Sequence, residues 1–106
     1  PPTGAFLVAR MDGKAVGCGG VAFRDGGYAE IKRMWVSRDA RGLGVGYQIL
    51  LGLELVAQNA GFTRARLDSN RALTEAHALY ARCDYVEIER YNDNPYADLW
   101  FEKALP

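Results

Sequence analysis

The chain has 106 residues and a mass of 11.7 kDa, enough for one hydrophobic core and too little for a second domain, so residues 1–106 are read as a single unit. Hydrophobic residues make up 49% and charged residues 25%, a globular composition that excludes a disordered chain. Thirteen basic and thirteen acidic side chains cancel, so no nucleic-acid partner is expected; the local basic stretch from Arg33 to Arg41 suits a small acidic or phosphorylated ligand better than a duplex.

The first apolar run, Ala5 to Ala9, ends at Met11-Asp12-Gly13-Lys14, and Asp-Gly is a strong hairpin signal because both central residues accept positive φ. Ala15 to Phe23 follows as a strand carrying Gly17, Gly19 and Gly20, which mark a bulge or a close backbone approach. Asp25-Gly26-Gly27 turns the chain into a third strand, Tyr28 to Val36. The period then changes. Val45, Ile49, Leu53, Val56 and Ala60, broadened by Leu50 and Leu51, describe one face of a helix over 43–60, with Gly61 as its stop.

Thr63 to Asp68 alternates as a strand, and Leu73 to Arg82 reads as a second helix with Ala76, Leu79 and Tyr80 facing inward. Tyr85 to Tyr91 and Leu99 to Lys103 read as closing strands around the polar turn Asn92-Asp93-Asn94-Pro95. The order βββ-α-β-α-β-β predicts an α/β (α+β) fold with a mixed, mostly antiparallel sheet, because strands joined through a helix need a crossover.

Cys18 and Cys83 lie far apart, and His77 is the sole histidine, so no metal site is expected and the cysteines are read as small buried apolar residues. No apolar run approaches the roughly 20 residues of a membrane span, so a soluble, cytoplasmic chain without a membrane partner is expected. The chain starts Pro1-Pro2 without an initiator Met, as a processed chain or a piece of a longer one would.

The chemistry concentrates between the third strand and the long helix, in Arg41-Gly42-Leu43-Gly44-Val45-Gly46. A helix start exposes backbone N–H groups without internal partners and carries partial positive charge. A phosphate or pyrophosphate supplies the acceptors and the negative charge, Gly42, Gly44 and Gly46 let it approach, and Arg41 adds a planar cation. A phosphate-loop NTPase would need Gly-Lys-Ser/Thr, but Tyr47-Gln48 follows Gly46. A dinucleotide-binding unit has Asp68 at a tolerable distance, yet its glycine spacing and preceding strand differ from those here. The third alternative is a turn that binds nothing.

The run Arg41-x-x-Gly44-x-Gly46 resembles the acetyl-CoA signature of the GNAT acetyltransferase superfamily, Arg/Gln-x-x-Gly-x-Gly/Ala. Asn70 and Leu79-Tyr80-Ala81-Arg82-Cys83-Asp84-Tyr85 resemble that family's Asn…Leu-Tyr-x-x-x-Gly-Phe/Tyr stretch, with Asp84 standing where the family has Gly. Asp tolerates the left-handed conformation, so a reshaped turn is expected there. The resemblance implies that acetyl-CoA is the cosubstrate and a primary amine of a small molecule or peptide the acceptor, and that the chain is an N-acetyltransferase. The alternative is a non-catalytic acyl-CoA binding or sensing module. Family members begin with a further strand and one or two helices that wall the acceptor pocket, whereas about four residues precede the first strand here; a homodimer sharing the site is one way to complete it.

The resemblance also implies roles. The strand end Met34-Trp35-Val36 would supply the oxyanion-binding amide, and Arg41, Gly42, Leu43, Gly44, Val45 and Gly46 would hold the pyrophosphate. Tyr80 would protonate or hydrogen-bond the leaving thiolate; the competing reading is a core aromatic. Glu30, six residues before Val36 and so on its face by strand periodicity, is the candidate general base; the competing reading is an ion pair with Arg24 or Lys32. Asn70 would either bond the pantetheine arm or cap the second helix. Tyr91 to Tyr96 would line the acceptor pocket or form an ordinary loop, and a lone helical His77 is read as exposed or capping in preference to catalytic.

Overall fold

Asp12 and Gly13, at φ 52° and 81°, join strand β1 (Gly4–Met11) to β2 (Lys14–Phe23) as the Asp-Gly signal requires. The structure is a computed structural model and describes residues 3–106. β3 (Ala29–Val36) completes the antiparallel meander, and a short 3-10 turn at Arg38–Ala40 leads to helix α1 (Val45–Asn59). Strand β4 (Arg64–Ser69), helix α2 (Thr74–Arg82), and strands β5 (Val86–Ile88) and β6 (Leu99–Ala104) follow. The sheet order is β1-β2-β3-β4-β6-β5, with β3 and β4 the one parallel pair among the described strands. This is the mixed, mostly antiparallel sheet that the element order predicts.

The core lies between the sheet and α1. Ile49, Leu50, Leu53 and Ala57 of the helix are buried against Val21, Ala29, Ile31, Ala65 and Leu67 of the strands. Ile49, Leu50 and Leu53 of the expected helical stripe are inside, while Leu51 and Ala60 lie outside and Ala57 is buried in addition. Glycines on β2 allow this close approach: a Cβ at Gly17 would collide with Val45 and Ile49, and one at Gly19 with Met34 and Ile49. Among the described residues no helix covers the opposite face of β1 to β3, and Phe6, Val8 and Trp35 are exposed on it.

Two local details differ from expectation. β5 spans three residues where seven were expected, because the chain turns away after Ile88 and brings Tyr91 and Asn92 under the sheet to Glu30. β3 carries a bulge at Arg33 (φ 58°), where the register against β2 shifts between Cys18 and Gly20. That extra residue inverts the alternation, so Glu30 and Val36 do not share a face. Ala29 and Ile31 point to α1 before the bulge, and Met34 and Val36 do so after it. Asp84 has φ 70°, the left-handed turn expected at the exit of α2. Cys18 and Cys83 are free, Cys83 buried and Cys18 half-buried.

Candidate active site

β3 and β4 pair at only two positions, Ala29 with Ala65 and Glu30 with Arg66. Beyond these the strands part, and a groove of about 770 Å³ opens between the end of β3, the glycine turn, the start of α1 and the length of α2. Met34, Trp35, Val36, Arg41, Gly42, Gly44, Val45, Gly46 and Tyr80 all line it. Leu43 belongs to the same turn but points outward, 60% exposed.

The turn is built for open backbone amides. Gly42 and Gly44 take φ 83° and 79°, which side chains with a Cβ adopt only at a cost, and Gly44 caps α1. The amides of Val45, Gly46 and Tyr47 form the first turn and so lack intrahelical acceptors, while Gln48 is the first to bond back, to the Gly44 carbonyl at 3.0 Å. Gly46 serves a different purpose. A Cβ there would sit 3.2 Å from Leu79 Cδ2, so its absence lets α1 approach α2. Arg41 reaches across the groove mouth to Glu75, Nε to Oε2 at 3.8 Å, with both side chains exposed.

Tyr80 lies under the groove with its ring against Tyr85 and Phe101. Only 6% of the residue is exposed, yet it is not a sealed polar group without a partner, and no described side chain bonds its hydroxyl. The residue lines the groove. Burial, assisted by the charge of Asp68, pushes its pKa up to about 12, so it is neutral at any ordinary pH.

The other expected residues have local partners. Glu30, 3% exposed, does not line the groove. Its Oε1 accepts Arg24 Nε at 2.9 Å and Nη2 at 2.7 Å, with Lys32 Nζ at 3.6 Å. Its Oε2 accepts the Tyr91 hydroxyl at 2.8 Å and Asn92 Nδ2 at 3.1 Å. Burial alone would raise its pKa, but the hydrogen bonds from Arg24 and Tyr91 and the Lys32 charge outweigh it and hold the carboxyl below its usual range. Asn70 donates to the Tyr96 carbonyl at 3.1 Å and accepts from the Ala72 amide at 2.9 Å, bracing the approach to α2. His77 shares a 3.1 Å hydrogen bond with the buried Ser69 hydroxyl.

Sequence reasoning missed Tyr47, Leu73, Glu75, Ala76 and Arg82 in the groove wall. The spacing of Leu73, Ala76 and Tyr80 on one helix face was the available signal. Among the described residues no group of three or more His, Cys, Asp or Glu side chains is placed to hold a metal, and no helix is long and apolar enough to cross a membrane.

The sheet splits at its parallel pair and a glycine-turn helix start faces the split; comparison with known proteins shows which class of protein shares this arrangement. Residues 1–85 match the family model described as Acetyltransferase (GNAT) family. An IAA acetyltransferase of Azospirillum brasilense is 36% identical over 104 residues, covering 94% of this chain and 67% of that protein. An N-acetyltransferase of Schizosaccharomyces pombe is 34% identical over 97 residues, covering 90% of this chain and 60% of its own length. The PaiA N-acetyltransferase of Thermoplasma acidophilum, solved in complex with coenzyme A, superposes with a TM-score of 0.84 at 20% identity, covering 96% of this chain and 61% of that one. The chain belongs to the GNAT acetyltransferase family, and spans about two thirds of the length of these relatives.

Proposed function

We propose that the groove binds acetyl-CoA and that the chain carries the acetyl-transfer chemistry of an N-acetyltransferase acting on a primary amine of a small molecule or peptide. The observation that carries this reading is the meeting, in one groove, of the open amides of the glycine turn, Arg41, the Met34–Val36 strand end and the unpartnered Tyr80 hydroxyl. The pyrophosphate would lie on the amides at the start of α1, where the helix dipole and Arg41 favour negative charge. The thioester would lie along Met34 to Val36, where a backbone amide meets the oxyanion that forms as the amine attacks.

Tyr80 serves the leaving thiolate as a hydrogen-bond donor. Burial holds the Tyr80 hydroxyl well above the ordinary phenol range, so it parts with its proton reluctantly. Donation without transfer keeps the proton on the phenol and still stabilises the departing charge. Glu30 is not given the base role in this reading, because both of its oxygens are occupied and its basicity is lowered. Asn70 supports the groove by bracing the segment before α2.

Two narrower expectations accompany the proposal. One is a cytoplasmic location, where acetyl-CoA is available. The other is a homodimer, for which the exposed Phe6, Val8 and Trp35 on the uncovered sheet face offer apolar surface. The deciding experiment follows thiol release from acetyl-CoA over a panel of primary amines, alongside calorimetric titration with CoA. Amine-dependent release supports the transferase. Tight CoA binding with no release from any amine would assign a binding module instead.

A further inference from the structure

The β3–β4 junction is the weak seam of the sheet. Two register pairs join these strands, against six to eight pairs for β1–β2, β2–β3 and β4–β6. The groove opens at this seam, so its width depends on whatever else holds the two halves of the sheet together.

Glu30 is the last paired residue on β3 before the strands part. Arg24, from its own half, holds one carboxylate oxygen. The other oxygen is held from the far half, by the Tyr91 hydroxyl and Asn92 Nδ2. Asn92 Nδ2 also donates to Asp68 Oδ2 on β4 at 2.7 Å, and Trp100 on β6 fixes Asn92 by donating to its Oδ1 at 2.9 Å. A continuous path, Arg24 to Glu30 to Asn92 to Asp68, thus crosses the split beside the point where backbone pairing ends. A carboxylate this buried is held only by such donors, and its neutral amide isostere would turn an accepting oxygen into a donor facing donors.

We propose that Glu30 is a positioning residue: through Tyr91 and Asn92 it clamps the two halves of the sheet at the mouth of the split, and so sets the spacing at which the Met34–Val36 strand end meets the cosubstrate. The inference rests on the reading of the groove as the acetyl-CoA site. It gives Glu30 a role distinct from that of a base, because a base acts on the amine and leaves CoA affinity alone, whereas a clamp acts on the groove before any amine arrives.

The test compares the wild-type chain with Glu30→Gln and with Phe62→Leu, a control that disturbs the Phe23–Phe62 stack away from the groove. CoA affinity is measured by calorimetry, and amide exchange at Ile31–Lys32 and Leu67–Asp68 is followed without ligand. Glu30→Gln is expected to weaken CoA binding about tenfold or more and to speed exchange at those four residues. Phe62→Leu should leave CoA affinity within about twofold of wild type, with exchange at the seam unchanged. Where Glu30→Gln does not fold, Tyr91→Phe removes one cross-split donor alone, and a smaller change in the same direction is expected, about threefold. Unchanged CoA affinity and unchanged exchange overturn the clamp; lost turnover alongside them would make Glu30 the base. Should the wild-type chain bind no CoA, the groove reading and the cosubstrate part of the clamp fall together. Exchange then decides the remainder, and unchanged exchange at the seam overturns that too.

Discussion

Glu54 on α1 and Lys103 on β6 lie 2.9 Å apart, Nζ to Oε1, in the interior beneath the helix, and Tyr85 donates to the other Glu54 oxygen at 2.8 Å. The helix packs on β1 to β3, and β6 belongs to the other half of the sheet, so this cluster ties the halves together on the helix side as the Glu30 network does on the open side. Burial and the Glu54 carboxylate hold the Tyr85 hydroxyl far above its usual range, so it remains a donor throughout the working pH range. Removing one member of a buried ion pair strands the other. Lys103→Met should therefore cost about 3 kcal/mol, the lower end for buried pairs because Lys103 keeps some contact with water. Urea unfolding monitored by circular dichroism measures this, and a loss below about 1 kcal/mol would show the cluster to be dispensable.

Tyr80→Phe should lower kcat about 10- to 100-fold, the worth of a hydrogen bond to a developing charge, with little change in acetyl-CoA affinity. Its raised pKa also sets a pH expectation. Because the folded-state value lies above the unfolded one, the neutral phenol supports the fold fully below about pH 10, and that support is lost as pH rises toward about 12. No alkaline limb in the rate below pH 10 should therefore belong to Tyr80, and Tyr80→Phe should keep any such limb in place. A limb that disappears in the variant would contradict the assignment.

Gly44→Glu should abolish CoA binding, since the substitution forces a side chain into a left-handed position and sets a carboxylate where the pyrophosphate would lie. Gly44→Ala separates the two effects. It carries only the backbone cost, roughly 1–2 kcal/mol, and should retain measurable binding. Calorimetric titration with CoA reads both, and wild-type affinity in Gly44→Glu would place the pyrophosphate elsewhere.

Glu75 faces Arg41 across the groove mouth, so it competes with an incoming phosphate for the same guanidinium. Glu75→Gln should tighten CoA binding about two- to fivefold at low salt, the scale of an exposed pair, and the gain should shrink at high salt as screening removes the contribution. A gain that persists unchanged in high salt would mean that the effect is not electrostatic.

At pH below about 4 the Glu30 network adds an acid dependence. Its carboxyl is held below its usual range, so the stability it contributes is present above the unfolded-state value of about 4.3 and is lost as pH falls through the lower folded value. Glu30→Gln should unfold at lower stability near neutrality and with a shallower acid transition, as measured by urea midpoints from pH 3 to 7.

What the sequence by itself determined here is everything set by short-range geometry. Asp12-Gly13 made its hairpin, Asp84 took its left-handed turn, the glycine turn capped α1, and the spacing of Leu79 and Tyr80 put them on the inner face of α2. These follow from dihedral preference and helical periodicity, which a few neighbouring residues decide. Arg24 and Lys32, near Glu30 in sequence, pair with it as the ion-pair reading expected, but the tertiary structure alone decided its bonds to Tyr91 and Asn92. Strand periodicity put it on the face of Val36, but the bulge at Arg33 depends on how β3 registers against β2, a pairing between distant residues. In the same way, the donors that hold Glu30 and Glu54 come from Tyr91, Asn92, Tyr85 and Lys103, which the crossing of the sheet brings near and no local spacing announces.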